Sequence, residues 1–172
     1  MCAGQGRDVI DVLSDHPRRT DTTVLLVELD PTLVSDARAN ATSAGLDAIE
    51  VVEADASTTS PYQKFVPADV VLVCGVFGNI SDTDIERTVA ELPRLCAAGA
   101  TVIWTRHRRS PDFTPTIRAW FTDAGFDEIG FDTEPGVAFG VGTNRFTGAA
   151  AEPFRPGQHM FTFVGDGGDA NH

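Results

Sequence analysis

No apolar run in this 172-residue chain is long enough to cross a bilayer. The longest, Val70 to Gly78, is short and interrupted by glycine, so no membrane partner is expected. Cysteine is scarce. Cys2, Cys74 and Cys96 are odd in number and lack Cys-x-x-Cys spacing, which argues against a disulfide frame or a zinc site and for reduced thiols in a cytoplasmic protein. Four histidines, at positions 16, 107, 159 and 172, lack metal-ligand spacing, and no metal is expected. Positive charge is also short. The formal net charge of -12 sets up a field that repels phosphate backbones, so no nucleic-acid partner is expected. The one basic run, Arg106-His107-Arg108-Arg109, reads as a solvated loop after a strand. Arg7 and Asp8 stand where a signal peptide would be apolar, and no internal repeat is present.

What remains is an ordinary globular composition, 42% hydrophobic and 22% charged, of a length that suits one domain. The first feature of note is a glycine loop, Ala3-Gly4-Gln5-Gly6, opening an amphipathic helix over Arg7 to His16 that Pro17 stops. Val24 to Leu29 is a continuous apolar strand, the pattern of a strand covered on both faces. Asp30 is a candidate N-cap with Pro31 in the first helical turn, and Gly45 suits the end of that helix. Ala48 to Ala54 is a strand ending at Asp55, and Tyr62 to Phe65 a short helical turn.

Asp69 to Cys74 is the most apolar strand and breaks at Gly75-Val76-Phe77-Gly78-Asn79. Ser81 with Asp84 starts a helix through Ile85, Val89, Leu92 and Leu95, with a break near Pro93 and an end near Gly99. Thr101 to Thr105 is a strand, Thr114 to Gly125 a helix, and Phe126 to Phe131 a strand. Val137 to Phe146 is glycine-rich with aromatics, and Met160 to Val164 is the better strand candidate. The segment 165–172 reads as a flexible tail. Strands alternating with helices predict an α/β fold, a Rossmann-like doubly wound sheet.

In such a sheet ligands sit beyond the carboxyl ends of the strands. This chain puts Gly4 and Gly6, then Glu28 and Leu29, then Asp55 and Ala56, then Cys74 and Gly75, then Arg106 and His107 at those ends. Glycines let backbone approach a ligand closely, and N–H groups at a helix start suit a carboxylate or phosphate. Glu28 follows Gly6 at close to the interval of about 20 residues expected for a ribose-binding carboxylate. Asp55 can accept from an exocyclic amine and Leu29 can pack on a purine. Each feature alone has a plainer reading as a turn or a cap; their order carries the argument. A dinucleotide loop would want glycine where Val9 stands, and a P-loop would want Gly-Lys-Ser/Thr, which is absent. A nucleoside carrying a carboxylate fits better than one carrying a pyrophosphate.

The chain resembles a class I S-adenosylmethionine-dependent methyltransferase. Cys2-Ala3-Gly4-Gln5-Gly6-Arg7-Asp8 resembles the family's glycine motif, with Cys2 at its first glycine; bacterial members with a Cys-Ala-Gly-x-Gly-Arg-Asp loop are the most similar. Glu28-Leu29-Asp30-Pro31, Glu53-Ala54-Asp55-Ala56, Cys74 to Ile80, Leu95 to Ala100 and Ala124-Gly125-Phe126 resemble later motifs in their family order. The resemblance implies S-adenosyl-L-methionine as cofactor, bound by Cys2, Ala3, Gly4, Gly6, Glu28, Leu29, Asp55, Ala56, Cys74 and Gly75. Gly4 and Gly6 would face the methionine portion, Glu28 the ribose, Leu29 and Ala56 the adenine, Asp55 its amine, and Gly75 the sulfonium. It also implies a mostly parallel sheet with a C-terminal antiparallel strand, in a methyltransferase domain over residues 1–164. Phe139, Asn144 and Arg145 become substrate-side candidates, and Asn79 either lines the pocket or caps the next helix.

No catalytic residue is fixed. His107 is the best-placed base, with a surface-loop role as its alternative, and Arg106 either binds an acidic substrate or pairs with a carboxylate. The Asn/Asp-Pro-Pro-Tyr/Phe loop of amino-group methylating members is missing. The reading is methyl transfer to a small molecule; the alternatives are an NAD(P)-dependent oxidoreductase and a catalytically silent nucleoside-binding domain. Only Met1 and Cys2 precede the glycine loop, so the family's first, central strand is expected to be missing, through truncation, an internal start or native shortness. Unpaired neighbouring edges would then bring poor stability or oligomerisation.

Overall fold

The computed structural model describes residues 1–134, 136–148 and 153–164; the tail expected at 165–172 lies outside them. Strand β1 (Val24–Glu28) pairs in parallel with β2 (Ile49–Glu53), in register from Val24 opposite Ile49 to Glu28 opposite Glu53. Strand β3 (Ala68–Val73) pairs in parallel with β4 (Cys96–His107). β4 is antiparallel to β6 (Phe139–Phe146), and β5 (Phe126–Asp132) lies antiparallel on the far side of β6. The ladders thus form two sets, β1-β2 and β3-β4-β6-β5. This is the expected α/β architecture of parallel strands with an antiparallel C-terminal strand.

Helices α1 (Arg7–Ser14), α2 (Pro31–Ser43), α3 (Asp82–Glu91) and α4 (Thr114–Asp123) cover the strands. Successive residues of β1 point to opposite faces, and they enter different cores. Leu26 packs with Ile10, Val34, Ala37 and Ala41 from α1 and α2. Val27 belongs to the larger cluster that holds Trp104, Phe77, Phe121 and Phe126. That is why β1 reads as continuously apolar.

No ladder joins β1 to β3 among the described residues. The first residues of the chain bridge them instead. The Met1 ammonium donates to Leu72 O at 3.0 Å, and Ala3 N–H donates to Val27 O at 3.0 Å. Met1 and Cys2 pack against the larger core. The glycine loop is therefore seated between β1 and β3 by three residues, at the carboxyl ends of both strands.

Three expectations need correction. Phe139–Phe146 is a full strand lying between β4 and β5, whereas Met160 to Val164 is not a strand; it makes one isolated bridge, Phe163 with Ile80. The glycines that disguise β6 are set by its neighbours. A Cβ on Gly142 would stand 2.1 Å from the Trp104 ring, and one on Gly140 would stand 2.4 Å from the Phe131 ring. The strand from Thr101 is longer, running from Cys96 to His107, because the helix before it ends at Glu91 and a single tight turn, Leu92–Arg94, accommodates Pro93. Helix α1 stops at Ser14, short of His16.

Trp104 is fully buried, stacks on Phe121 with centroids 5.6 Å apart, and donates its indole N–H to Asn144 Oδ1 at 2.8 Å. Overpacking of this kind usually costs roughly 1–3 kcal/mol. Gly142→Ala is expected to lower stability by at least about that much, read as a lower denaturant midpoint, since its methyl must displace an indole held on two sides. An unchanged midpoint would count against this account of β6.

Candidate active site

The glycine loop combines two different uses of glycine. Gly6 caps α1 in the left-handed region, φ 72°, and a Cβ there would meet Leu26 Cδ1 at 2.7 Å and Ile10 Cδ1 at 2.9 Å. Its bareness serves packing. Gly4, φ 53°, has nothing within 4 Å of a built Cβ, and its N–H points back to Glu28 Oε2 at 2.8 Å. Its open side is available to a ligand. Cys2 also has positive φ, 50°, a conformation that suits glycine better than a side-chain-bearing residue. Helix α2 steadies the loop: Asn40 Nδ2 donates to Gln5 O at 3.1 Å, and Gln5 Nε2 donates to Asp36 Oδ2 at 2.8 Å.

Glu28 is the hub. Its Oε2 accepts from Gly4 N–H, and its Oε1 accepts from Leu29 N–H at 2.8 Å and Asp30 N–H at 3.0 Å. Each carboxylate oxygen has two acceptor directions, so Oε1 is filled and Oε2 keeps one for a ligand hydroxyl. Leu29 beside it is 64% exposed, a large apolar side chain with no packing reason to be there. Asp30 caps α2, accepting from Thr32 and Leu33 N–H, and these bonds hold its carboxyl below the usual range.

At the end of β2, Asp55 is exposed and Ala56 buried. Asp55 Oδ1 takes Ser57 N–H at 2.8 Å. The buried Tyr62 hydroxyl donates to Ala56 O at 2.8 Å and fixes this loop, a role that the local pattern gave no sign of. At the end of β3, Gly75, φ 72°, is again open, with nothing within 4 Å of a built Cβ. Its N–H goes to Thr105 Oγ1 at 2.9 Å, and its carbonyl accepts from Asn79 Nδ2 at 2.7 Å. Asn79 is not the helix cap; Ser81 is, accepting from Asp84 N–H at 3.2 Å.

The end of β4 carries His107, with Phe139 opposite it across the antiparallel pair and Gly78 beside its ring. His107 Nδ1 is buried without a hydrogen-bond partner among the described residues. Desolvation, then the Arg106 and Arg109 charges, push its pKa below the ordinary imidazole value, which favours a neutral ring. Arg106 is committed to the fold: it donates to Phe77 O and lies 3.7 Å from Asp82. Two substrate-side candidates lie elsewhere. Asn144 is 1% exposed and holds Trp104, and Arg145 pairs with Thr101 in the middle of β4, six positions up β6 from Phe139 or roughly 20 Å along the strand. The antiparallel direction of β6 carries them away from the crevice.

Two concavities, of about 220 and 340 Å³, lie around Leu46, Asp47 and Ile49, and neither is lined by the crevice residues. Among the described residues, no group of three or more His, Cys, Asp and Glu side chains is placed to hold a metal. No described helix is long and apolar enough to cross a membrane.

Parallel strands with an antiparallel C-terminal strand, and open glycines and carboxylates at the strand ends, give the fold of a class I S-adenosylmethionine-dependent methyltransferase. A family profile described as a methyltransferase domain matches residues 1–99, and the chain belongs to that family. No curated protein matches by sequence. Solved structures with this fold include an RNA methyltransferase from Salinibacter ruber in complex with S-adenosyl-L-homocysteine, at 18% identity and TM-score 0.57, covering 92% of this chain and 82% of that one. A precorrin-6y C5,15-methyltransferase from Geobacter metallireducens GS-15 matches at 13% identity and TM-score 0.61, covering 86% and 77%. The [4+2]-cyclase SpnF matches at 14% and TM-score 0.61, covering 83% and 72%. At such identities the likeness is one of fold, which a cyclase shares with methyltransferases.

Thiols desolvated by the fold make its stability fall at high pH. Burial pushes the Cys2 thiol up to about 11 and Cys96 up to about 12, and raises Cys74. The unfolded chain therefore loses protons above about pH 9 that the fold keeps, and stability falls as pH rises. Denaturant midpoints measured from about pH 7 to about pH 10 are expected to fall once the pH passes about 9. A midpoint still rising at about pH 10 would contradict this assignment.

Proposed function

We propose that this chain binds S-adenosylmethionine at the carboxyl ends of its strands and transfers the methyl group to a small molecule in the cytoplasm. The observation that carries the reading is the pairing of open backbone with carboxylates. Gly4 and Gly75 leave space where a side chain would stand, Glu28 keeps one free acceptor direction, and Asp55 keeps an oxygen with no partner among the described residues. Gly4 would admit the methionine portion, Glu28 Oε2 would take one ribose hydroxyl, exposed Leu29 would cover the adenine, and Asp55 would accept its amine. The cofactor, when bound, supplies a methyl group on a positively charged sulfur, open to in-line displacement.

The residues of this chain then contribute position. Gly75, tied by Thr105 and Asn79, fixes the backbone beside the reacting centre. His107, held neutral and facing Phe139 on the next strand, is the candidate to accept a proton from the acceptor. The basic run supports a small acceptor over a nucleic acid. Arg106 is drawn to Asp82 and Arg108 to Asp112, 3.1 Å away, inside a chain of net charge -12. The three thiols are free, as suits a reducing compartment.

The test is calorimetric titration with S-adenosylhomocysteine and, separately, NAD. Saturable binding of the first alone is expected, and Asp55→Ala should weaken it by roughly 1.5–3 kcal/mol, the usual worth of a hydrogen bond to a charged group. Binding of NAD in its place would sink the reading. Methyl transfer from labelled cofactor to RNA, with none to small nucleophiles, would overturn the choice of acceptor.

A further inference from the structure

The segment 153–164 leaves the sheet and crosses the loops after β2 and β3. Met160 and Phe161 anchor it, both fully buried in the larger core. Towards its start it is stitched to the β2 loop. Thr59 N–H donates to Gln158 O at 2.9 Å, Thr59 Oγ1 donates to Arg155 O at 2.6 Å, and Met160 N–H donates to Ser57 O at 2.8 Å. Ser57 N–H in turn donates to Asp55. At its far end it is stitched to the β3 loop and α3. Thr162 N–H donates to Asp84 Oδ2 at 3.0 Å, Phe163 bridges Ile80, and Val164 N–H donates to Asn79 O at 2.9 Å. Asn79 in turn donates its side-chain amide to Gly75 O. Each end of the strap is thus one residue removed from a loop assigned above to the cofactor.

Resting on that assignment, we propose that 153–164 is a strap whose docking is coupled to cofactor binding, and that Asn79 is the positioning residue that transmits the coupling to Gly75. The side-chain amide of Asn79 holds the Gly75 carbonyl, and its own carbonyl holds the strap. A ligand seated on Asp55 and Gly75 favours the loop conformation that offers Ser57 O and Asn79 O to the strap. By reciprocity, a docked strap favours the ligand. Phe163 and Val164, 47% and 66% exposed, then stand beside Asn79 as apolar wall on the acceptor side.

The experiment measures S-adenosylhomocysteine affinity by calorimetry and amide exchange of Met160 and Val164 with and without that ligand. Wild type is expected to slow exchange at both amides at least about fivefold on saturation, within the usual span of coupling between sites. Asn79→Ala is expected to weaken binding at least about fivefold with an unchanged thermal midpoint, and to abolish the ligand-induced slowing at Val164. Asn79→Ser, which keeps a hydroxyl donor, should recover part of the affinity. Val164→Pro removes the strap's N–H and fixes φ there, on an exposed residue, and should weaken binding in the same sense. Wild type that binds the ligand with no change in exchange, alongside variants that bind it as tightly as wild type, would overturn the strap and leave the proposed function standing. Wild type that does not bind the ligand would overturn both.

Discussion

One carboxylate holds the crevice together. Glu28 collects three backbone N–H groups, from Gly4, Leu29 and Asp30, on its two oxygens. Charge-assisted bonds of this kind are roughly twice as strong as neutral ones. The Leu29 and Asp30 bonds turn the chain sharply at the end of β1, which sets Asp30 to cap α2. The Gly4 bond ties that turn to the first loop. Leu29 is left exposed because its backbone is bound and its side chain has nowhere to pack. Loop, turn and helix start are a single hydrogen-bonded unit with Glu28 at its centre.

That unit depends in turn on how the two ladder sets meet. β1 and β3 share no ladder among the described residues, and Met1 to Ala3 supply the bridging bonds. The bridge brings the half-buried Cys2 thiol to the ligand edge, where desolvation raises its pKa. The opposite flank is built differently. β4, β6 and β5 enclose a stacked aromatic core around Trp104, whose indole N–H is met by Asn144 Oδ1. Rigidity there gives β3 and β4 the fixed ends from which Gly75 and Thr105 meet.

Much of this was legible in the sequence where a local rule was at work. The apolar run of β1, the Asp30-Pro31 helix start and the Ser81 cap each follow from the chemistry of a few adjacent residues. The strand-end carboxylates were legible too, because their order survives without knowledge of contacts. β6 was not. Its glycines answer to Trp104 and Phe131, residues far away in the chain, so local composition resembled a loop. The strap misled for the converse reason: Met160 and Phe161 are apolar because they plug a core, not because they pair in a sheet. Asn144 was drawn to the substrate side by its place in the chain, while strand direction sends it to the core. Tyr62 and Thr105 support the site through contacts of the fold.

The measurement that bears most directly on the central role of Glu28 is the exchange rate of the Gly4 amide, together with S-adenosylhomocysteine affinity, in Glu28→Gln. The amide side chain keeps one acceptor oxygen and turns an NH2 toward a backbone donor, so at least one of the three N–H groups loses its partner. The account predicts faster exchange at Gly4 and at least about tenfold weaker binding, the scale of one unsatisfied donor, with the Trp104 core still folded. A variant that protects Gly4 as wild type does and binds the ligand equally well would contradict it.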